Sequence, residues 1–577
     1  MTWYRFPIAT LTLTSTLACD PGTSGNAPCL ASERRVGGEC VAVVDYPVRL
    51  NSVGFFPDRV KRATVVGGSG AFQLVDQDGN VVYEGTTSEP LASTETGEEG
   101  LRVADFTEFR TADPNAEYRL IADGAGNSPP FRIAEDVLEG VARVLMLGMY
   151  GQRCGESVAF EHQGTHFNHD ACHLEDALLD EYGQAGKRHP ALYGWHDAGD
   201  YGKYVNNGAL ALANMLFAWQ QFPALESFSF GLPEAKGLPE YLAECRFQLD
   251  WLLGMQVEGG GVADRVTTRT FDAMVSPEAS TAPRFLAPVT TTATADFAAV
   301  VARAARVFEP YDAELSASYR QAALSAWSFL KSNGQIRASD EQEARFTGSY
   351  WSADPDDRAW AAAEIWELTG DEEALAEFEE RAQAFTVETF WDWPSLSNLG
   401  TFTYLLSARD GRDAELVANL TTKLGTGVGS IRDTAVNHPY GRGTGVQYYW
   451  GINGVLARMA MNIAVYDELT PDPEHRDLLV MVMDHLLGRN YYGRSYVTGI
   501  GNAPPYYPHH RPSAADGNPE PWPGLLVGGP WSRDGNQLAA TAWVDASSDY
   551  NTNEVAINWN GAMIYAAAAL LPRADEP

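Results

Sequence analysis

The sequence predicts two folded parts in tandem: a small β-sandwich over residues 45–134, then an all-α toroid of six helix pairs, an (α/α)6 barrel, over 135–577. Three observations predict it. At 577 residues the chain exceeds the length at which a single core stops growing. Residues 45–134 carry short alternating apolar runs split by turn residues such as Asp78-Gly79-Asn80. Beyond Ala134 apolar residues recur at helical spacing in about a dozen segments, too many for one bundle.

Residues 1–18 contain one basic residue, Arg5, and an apolar, Thr-rich run that ends at Leu17-Ala18-Cys19. The run is too short for a permanent membrane span and reads as an export signal. A small residue directly before Cys19 resembles the lipobox of bacterial lipoproteins, although Thr16 stands where those have Leu. A lipid anchor at Cys19 is one expectation, and a secreted or periplasmic protein is the other. Residues 19–44, rich in Gly, Ser, Pro and charge, read as a flexible tether, within which Cys29 and Cys40 could close a disulfide loop.

Strands are expected at Val48–Leu50, Ala63–Val66, Phe72–Val75, Val81–Tyr83, Leu101–Val103 and Tyr118–Ile121, enough for a sandwich. Helices are expected over 137–150, 205–222, 238–255, 295–308, 315–330, 360–369, 372–385, 446–466, 476–487 and 553–571. Between them run two long loops, 151–203 and 489–552, and loops of that length are usually functional.

The net charge of −35, from 41 Lys and Arg against 76 Asp and Glu, excludes a polyanionic partner such as nucleic acid. A neutral polysaccharide is indifferent to that field. No membrane contact is expected beyond the anchor, and the protein is expected to be a monomer.

The first long loop ends in Tyr193-Gly194-Trp195-His196-Asp197-Ala198-Gly199-Asp200-Tyr201-Gly202-Lys203-Tyr204. Two carboxylates three residues apart among glycines and aromatics suit a sugar-cleaving site, because an activated water needs a base, an orienting partner and a face for the pyranose. An ordinary Asp helix cap is the competing reading of any such pair. The second long loop holds Ser495-Tyr496-Val497-Thr498-Gly499-Ile500-Gly501, Pro508-His509-His510-Arg511, Trp543-Val544-Asp545 and Asp549-Tyr550-Asn551-Thr552-Asn553-Glu554-Val555-Ala556.

Together these strings resemble glycoside hydrolase family 9, the inverting cellulases. They match G-G-W-x-D-A-G-D-x-x-K-Y, S-x-V-T-G-x-G with P-H-H-R, and W-x-D with D-Y-x-x-N-E-x-A. Tyr193, Ala503 and Gly561 depart from the patterns. The sandwich resembles the immunoglobulin-like module of one branch of that family, through Val103-Ala104-Asp105-Phe106 and Phe131-Arg132-Ile133. Carried over residue by residue, the resemblance implies Glu554 as general acid, Asp200 as base with Asp197 sharing the water, His509 and Asp545 as further catalytic residues and Arg511 beside the sugar; the aromatics Trp195, Tyr201, Tyr449, Trp450 and Tyr550 are themselves candidate faces for the sugar, with core packing as the competing reading. Glu554 is placed at the opening of an apolar helix, where burial keeps its proton on.

Cys154, Cys172, His173 and His196 offer the Cys2His2 set of a structural zinc, which the resemblance also implies; a Cys154–Cys172 disulfide is the alternative. Cys245 reads as an inert core thiol. Ser352, Asp356 and Asp357, with Asp392 further on, form an oxygen-rich set for calcium. The expected activity is inverting cleavage of β-1,4 bonds in cellulose, cellodextrins or related β-glucans. The alternatives are an exo-acting β-glucosidase or β-glucosaminidase of the same family, and a surface protein that binds glycans without cleaving them.

Overall fold

The computed structural model describes residues 33–36, 39–42, 44–111, 113–232 and 237–572. The export signal, Cys19, Cys29 and the side chain of Cys40 lie outside the described residues. Within the stretch read as a tether, β1 (Glu33–Val36) pairs antiparallel with β2 (Glu39–Ala42), so those eight residues form a hairpin and correct the reading of an unstructured segment.

The sandwich runs through β3 (Val48–Arg49), β4 (Gly54–Phe55), β5 (Arg62–Val66), β6 (Ala71–Asp76), β7 (Val81–Thr86), β8 (Leu91–Ser93), β9 (Glu98–Asp105), β10 (Glu117–Ala122), β11 (Gly126–Asn127) and β12 (Phe131–Ile133). One sheet orders β3-β5-β9-β8 and the other β4-β12-β10-β6-β7, with β11 paired to β10. Alternation decides which residues face inward: Phe72 and Leu74 of β6 and Tyr118 and Leu120 of β10 are buried, while Gln73 and Arg119 are not. Phe55 anchors this core by edge-on contact with Phe106 at 5.1 Å and Phe131 at 5.3 Å, the arrangement aromatic quadrupoles favour.

The helical part is built from α1 (Glu139–Gly151), α2 (Val205–Gln221), α3 (Glu240–Met255), α4 (Thr291–Phe308), α5 (Ala313–Ser332), α6 (Pro355–Thr369), α7 (Glu372–Ala382), α8 (Ser397–Leu406), α9 (Ala414–Asn437), α10 (Ile452–Leu469), α11 (Pro473–Leu486) and α12 (Ile557–Ala568). The even-numbered six pack side by side in a closed ring, α2-α4-α6-α8-α10-α12 and back to α2, and the odd-numbered six surround it. Sequence separates the two layers. Inner α4 and α12 are buried almost all round, whereas outer α5 buries only Tyr319, Ala322, Ala323, Ala326, Trp327 and Leu330, one stripe at three-to-four-residue spacing.

Two of these helices, α8 and α9, were not expected. The run Gly425-Thr426-Gly427-Val428-Gly429 hides α9, since each glycine costs a helix about 1 kcal/mol relative to Ala. The structure shows what favours glycine there: a Cβ on Gly425 would stand 2.7 Å from the Tyr466 hydroxyl, and one on Gly427 2.9 Å from Thr389. The helix expected over 446–466 begins only at Ile452, after Gly451 turns left-handed at φ 87°.

A polar seam joins the sandwich to the barrel. Asn51 donates to Asp484 at 3.0 Å, the Thr64 hydroxyl to the Pro439 carbonyl at 2.6 Å, and the Tyr440 hydroxyl to Glu98 at 2.5 Å. No helix among the described residues is long and apolar enough to cross a membrane.

Candidate active site

Four backbone segments converge where inner helices α2 and α12 begin. Ala198 bridges Ala556, and the Ile557 amide donates to the Asp197 carbonyl at 2.9 Å. The Arg511 amide donates to the Gly199 carbonyl at 3.1 Å, the His509 amide to Asn553 at 2.8 Å, and the Gly528 amide to the Glu554 carbonyl at 2.8 Å. Main-chain bonds thus bring residues 197–200 and 554 to one place across 350 residues of chain. Gly199 is required at this crossing, since a Cβ there would stand 2.0 Å from the His509 carbonyl oxygen.

Over the junction opens a cleft of about 720 Å³, lined among others by Asp197, Asp200, Glu554, His509, Arg511 and Tyr350. Asp197 is 1% exposed and accepts from the Tyr350 hydroxyl at 2.5 Å and from Asn207 at 2.7 Å. Burial pushes its pKa up to about 7, opposed by the Tyr350 bond and assisted by the charge of Asp200. Asp200 is also raised by burial, but the Arg511 guanidinium and the Gly202 amide, at 3.2 Å, favour its ionised form. Glu554 is raised well above the usual carboxylate range, first by burial and then by the charges of Asp200 and Asp197. Three buried carboxyls facing one cleft resist joint ionisation, and burial together with its two acid neighbours favours the protonated form of Glu554.

Glu554 does not open a helix. It lies three residues before α12 in extended backbone at φ −70° and ψ 156°, parallel to His509. Its proton is therefore held by burial and neighbouring charge, with no opposition from a helix N-terminus. His509 Nδ1 meets the Ser547 carbonyl at 2.6 Å, and burial lowers its pKa. The neutral ring donates through Nδ1 and leaves Nε2 as an acceptor for a sugar hydroxyl. Arg511 lines the cleft while spending donors on the Gly199 and Asp272 carbonyls, so it holds two loops as well as lowering Asp200.

Tyr449, Trp450 and Tyr550 line the cleft as expected. Trp450 packs against Tyr550 at 5.5 Å and Trp531 at 6.2 Å. Trp195 and Tyr201 do not. Trp195 is fully buried with its indole N–H on Glu244 at 2.8 Å. Tyr201 is 2% exposed, donates to the Val275 carbonyl at 2.5 Å, and packs on His196 and His173. Asp545 does not reach the cleft either. It accepts from Arg494 at 2.5 Å and from the amides of Tyr506 and Tyr507, and so shapes the loop that delivers His509. The sequence reading passed over Tyr350, Asn207, Phe271 and Trp393. Only Gly348-Ser349-Tyr350-Trp351, aromatics beside a glycine between two helices, carried a visible signal.

Cys154, Cys172, His173 and His196 come together with all ligand atoms within 4.8 Å of one another. Their separations are 3.7 Å for Sγ to Sγ, 3.3 Å for His196 Nε2 to His173 Nδ1, 3.4 Å for Cys154 Sγ to His173 Nδ1 and 3.7 Å for Cys172 Sγ to His196 Nε2. A tetrahedron with arms of about 2.3 Å to sulfur and 2.0–2.1 Å to nitrogen has edges of roughly 3.8, 3.3 and 3.5 Å, so the set fits a four-coordinate metal ion. The sulfurs stand too far apart for a disulfide, which needs about 2.05 Å. His173 Nε2 meets Ser280 at 3.2 Å, a second partner that fixes the ring.

The calcium set is not assembled as expected. Asp392 turns to the cleft and is neutralised by Arg458 at 3.1 Å, with Asn558 and Tyr449 also donating to it. Asp356 accepts from the Leu396 amide at 2.6 Å. Ser352 Oγ and both oxygens of Asp357 are buried without partners, and Asp357 packs on Asp296, which sequence reasoning had not included.

A family model described as "Glycosyl hydrolase family 9" matches residues 139–567, and one described as "Cellulase N-terminal ig-like domain" matches 44–127. Endoglucanase D of Acetivibrio thermocellus is 42% identical over 534 residues, which cover 91% of this chain and 84% of that protein. A metagenome-derived glycoside hydrolase family 9 endoglucanase aligns with TM-score 0.84 and 32% identity over 91% of this chain and 98% of its own. A Zn-binding triple mutant of the family 9 endoglucanase J30 aligns with TM-score 0.82 and 30% identity, over 90% of this chain and 100% of its own.

Proposed function

The chain belongs to glycosyl hydrolase family 9, and from that premise we propose that it hydrolyses β-1,4-linked glucans as an inverting endoglucanase, with Glu554 as proton donor and Asp200 as base. The observation that carries the assignment is the ordering of three carboxyls over one cleft, with Glu554 kept neutral by burial and its acid neighbours, and Asp200 held toward its charged form by Arg511. Glu554 gives its proton to the leaving glycosidic oxygen. Asp200 takes one from a water that Asp197 also holds, and the water attacks the anomeric carbon from the opposite face. Tyr350 and Asn207 fix Asp197 for that task. Each turnover leaves Glu554 ionised and Asp200 protonated, and exchange with solvent resets both.

The cleft's aromatic lining, Tyr449 and Trp450 with Trp531 and Tyr550 packed on the latter, supplies faces for sugar rings in the cleft that holds the carboxyls and supports a glucan substrate. The Cys154, Cys172, His173 and His196 cluster holds zinc in this reading, a closed structural site that ties the 151–173 loop to the turn bearing Asp197 and Asp200. The partnerless oxygens at Ser352 and Asp357, with Asp296 in place of Asp392, suit a hard dication such as calcium. The leader implies export, with a lipid anchor at Cys19 as its more specific form. Proton NMR of cellopentaose hydrolysis in the first minutes tests the central claim: α-anomer products are expected, and β-anomer products would overturn the pairing of acid and base.

A further inference from the structure

One carboxylate of the sandwich is built into the barrel. Glu95, on the turn between β8 and β9, is 9% exposed although it belongs to the smaller part. It accepts from the Tyr448 hydroxyl at 2.6 Å and from His438 at 3.3 Å, lies 3.6 Å from Arg442, and its carbonyl accepts from the Ala540 amide at 3.3 Å. Arg442 also lies flat on the Tyr448 ring, 3.6 Å from its centroid, and donates to the Gly445 and Gln447 carbonyls. Tyr448 begins a run of three residues pinned one after another. Tyr449 donates to Asp392 at 2.6 Å, and Trp450 lines the same cleft as Glu554, whose charged form its indole favours. One residue, Tyr449, therefore separates the tyrosine that the sandwich grips from the tryptophan that shares the cleft with the acid.

We propose that Glu95 is a positioning residue for glycoside cleavage: by holding Tyr448 it sets where the Trp450 indole stands, and through Trp450 it sets the placement and proton affinity of Glu554. This rests on Glu554 being the acid. The Trp450 indole favours the ionised carboxylate, so displacing it strengthens Glu554's hold on its proton. The other charges facing Glu554 are Asp200, Asp197 and Arg511, none of which Glu95 touches. Glu98, its neighbour on the same seam, pairs with Arg49 at 2.9 Å and with Tyr440, and has no link to 448–450. It supplies the control.

The full chain is assayed on cellopentaose from pH 4 to 10 for wild type, Glu95→Gln, Glu95→Asp and Glu98→Gln, with melting temperatures measured alongside. Glu95→Gln is expected to lower kcat about tenfold, the loss that a modest displacement of an acid produces, with KM little changed, and to move the alkaline limb of kcat to higher pH. Glu95→Asp should restore part of both. Glu98→Gln should lower the melting temperature comparably and leave the limb in place. An unmoved limb in Glu95→Gln, or equal movement in Glu98→Gln, overturns the coupling. Trp450→Phe and Glu554→Gln separate the layers. A limb that shifts in Trp450→Phe but not in Glu95→Gln defeats the role of the sandwich alone. A limb unaltered in Glu554→Gln defeats the acid assignment, and the coupling with it.

Discussion

Asp197 should be a residue whose removal stabilises the protein while ending its activity. Burial lifts its pKa from 3.8 to about 7, so the folded state holds a proton that the unfolded chain releases. Stability is therefore lost as pH rises from about 4 to about 7, and above 7 the loss is complete. The shift corresponds to about 4 kcal/mol at pH 8 against roughly 1.5 kcal/mol at pH 5. An Asn at 197 carries no such cost, and its amide can be accommodated, because Asn207 Oδ1 is buried without a partner and can accept from it if Asn207 turns over. The advantage of Asp197→Asn over wild type should thus grow by about 3 kcal/mol between pH 5 and pH 8. With an unfolding entropy of roughly 1 kcal/mol/K for a unit of this size, that is about 3 °C in melting temperature. Scanning calorimetry at both pH values, with cellodextrin turnover in parallel, makes the measurement. A difference in melting temperature that does not change with pH would refute the argument, since only a titrating group produces the trend.

Glu554→Gln should nearly abolish cleavage of cellodextrins yet spare part of the activity on an aryl glycoside whose phenolate leaves unprotonated, while Asp200→Asn depresses both; rates on the two substrates give the answer, and the reverse pattern would swap the roles. Cys172→Ser should lose bound zinc by elemental analysis and lower the melting temperature by several degrees, because a closed site contributes folding energy; zinc retained at one equivalent contradicts the ligand set. Gly199→Ala should cost at least 100-fold in kcat/KM, as its methyl would stand 2.0 Å from the His509 carbonyl and push apart the strands that carry acid and base.

The residues that sequence exposed well are those whose chemistry demands a particular type in a particular order. Asp197, Asp200, His509, Arg511 and Glu554 all line the cleft because each sits in a motif whose glycines and prolines fix the backbone around it. Trp195 misled because its indole is spent in the core, on Glu244 at 2.8 Å, whereas Asp197, two residues on, lines the cleft with its amide on the Gly202 carbonyl at 2.9 Å. Tyr193 carries a related lesson. It replaces the motif's glycine and takes φ 70°, a left-handed conformation that shows why glycine suits that place. Tyr350 and Asn207 were hidden because they lie far apart in the chain and meet only at Asp197, and Asp296 because its neighbour Asp357 comes from another inner helix. The same holds for Glu95, which nothing local distinguishes from the other acids of an acidic surface.

The closed ring also fixes when the enzyme can first work. Asp200 precedes the first inner helix, α2, and Glu554 precedes the last, α12, and those two helices are neighbours only at the seam where the circle shuts. Partly folded chains with five inner helices in place have nearly all of their secondary structure and a base without an acid. During refolding, recovery of far-UV circular dichroism should therefore run ahead of recovery of turnover. The lag between them times the docking of α12, so that hydrolysis itself serves as a clock for the final step of assembly.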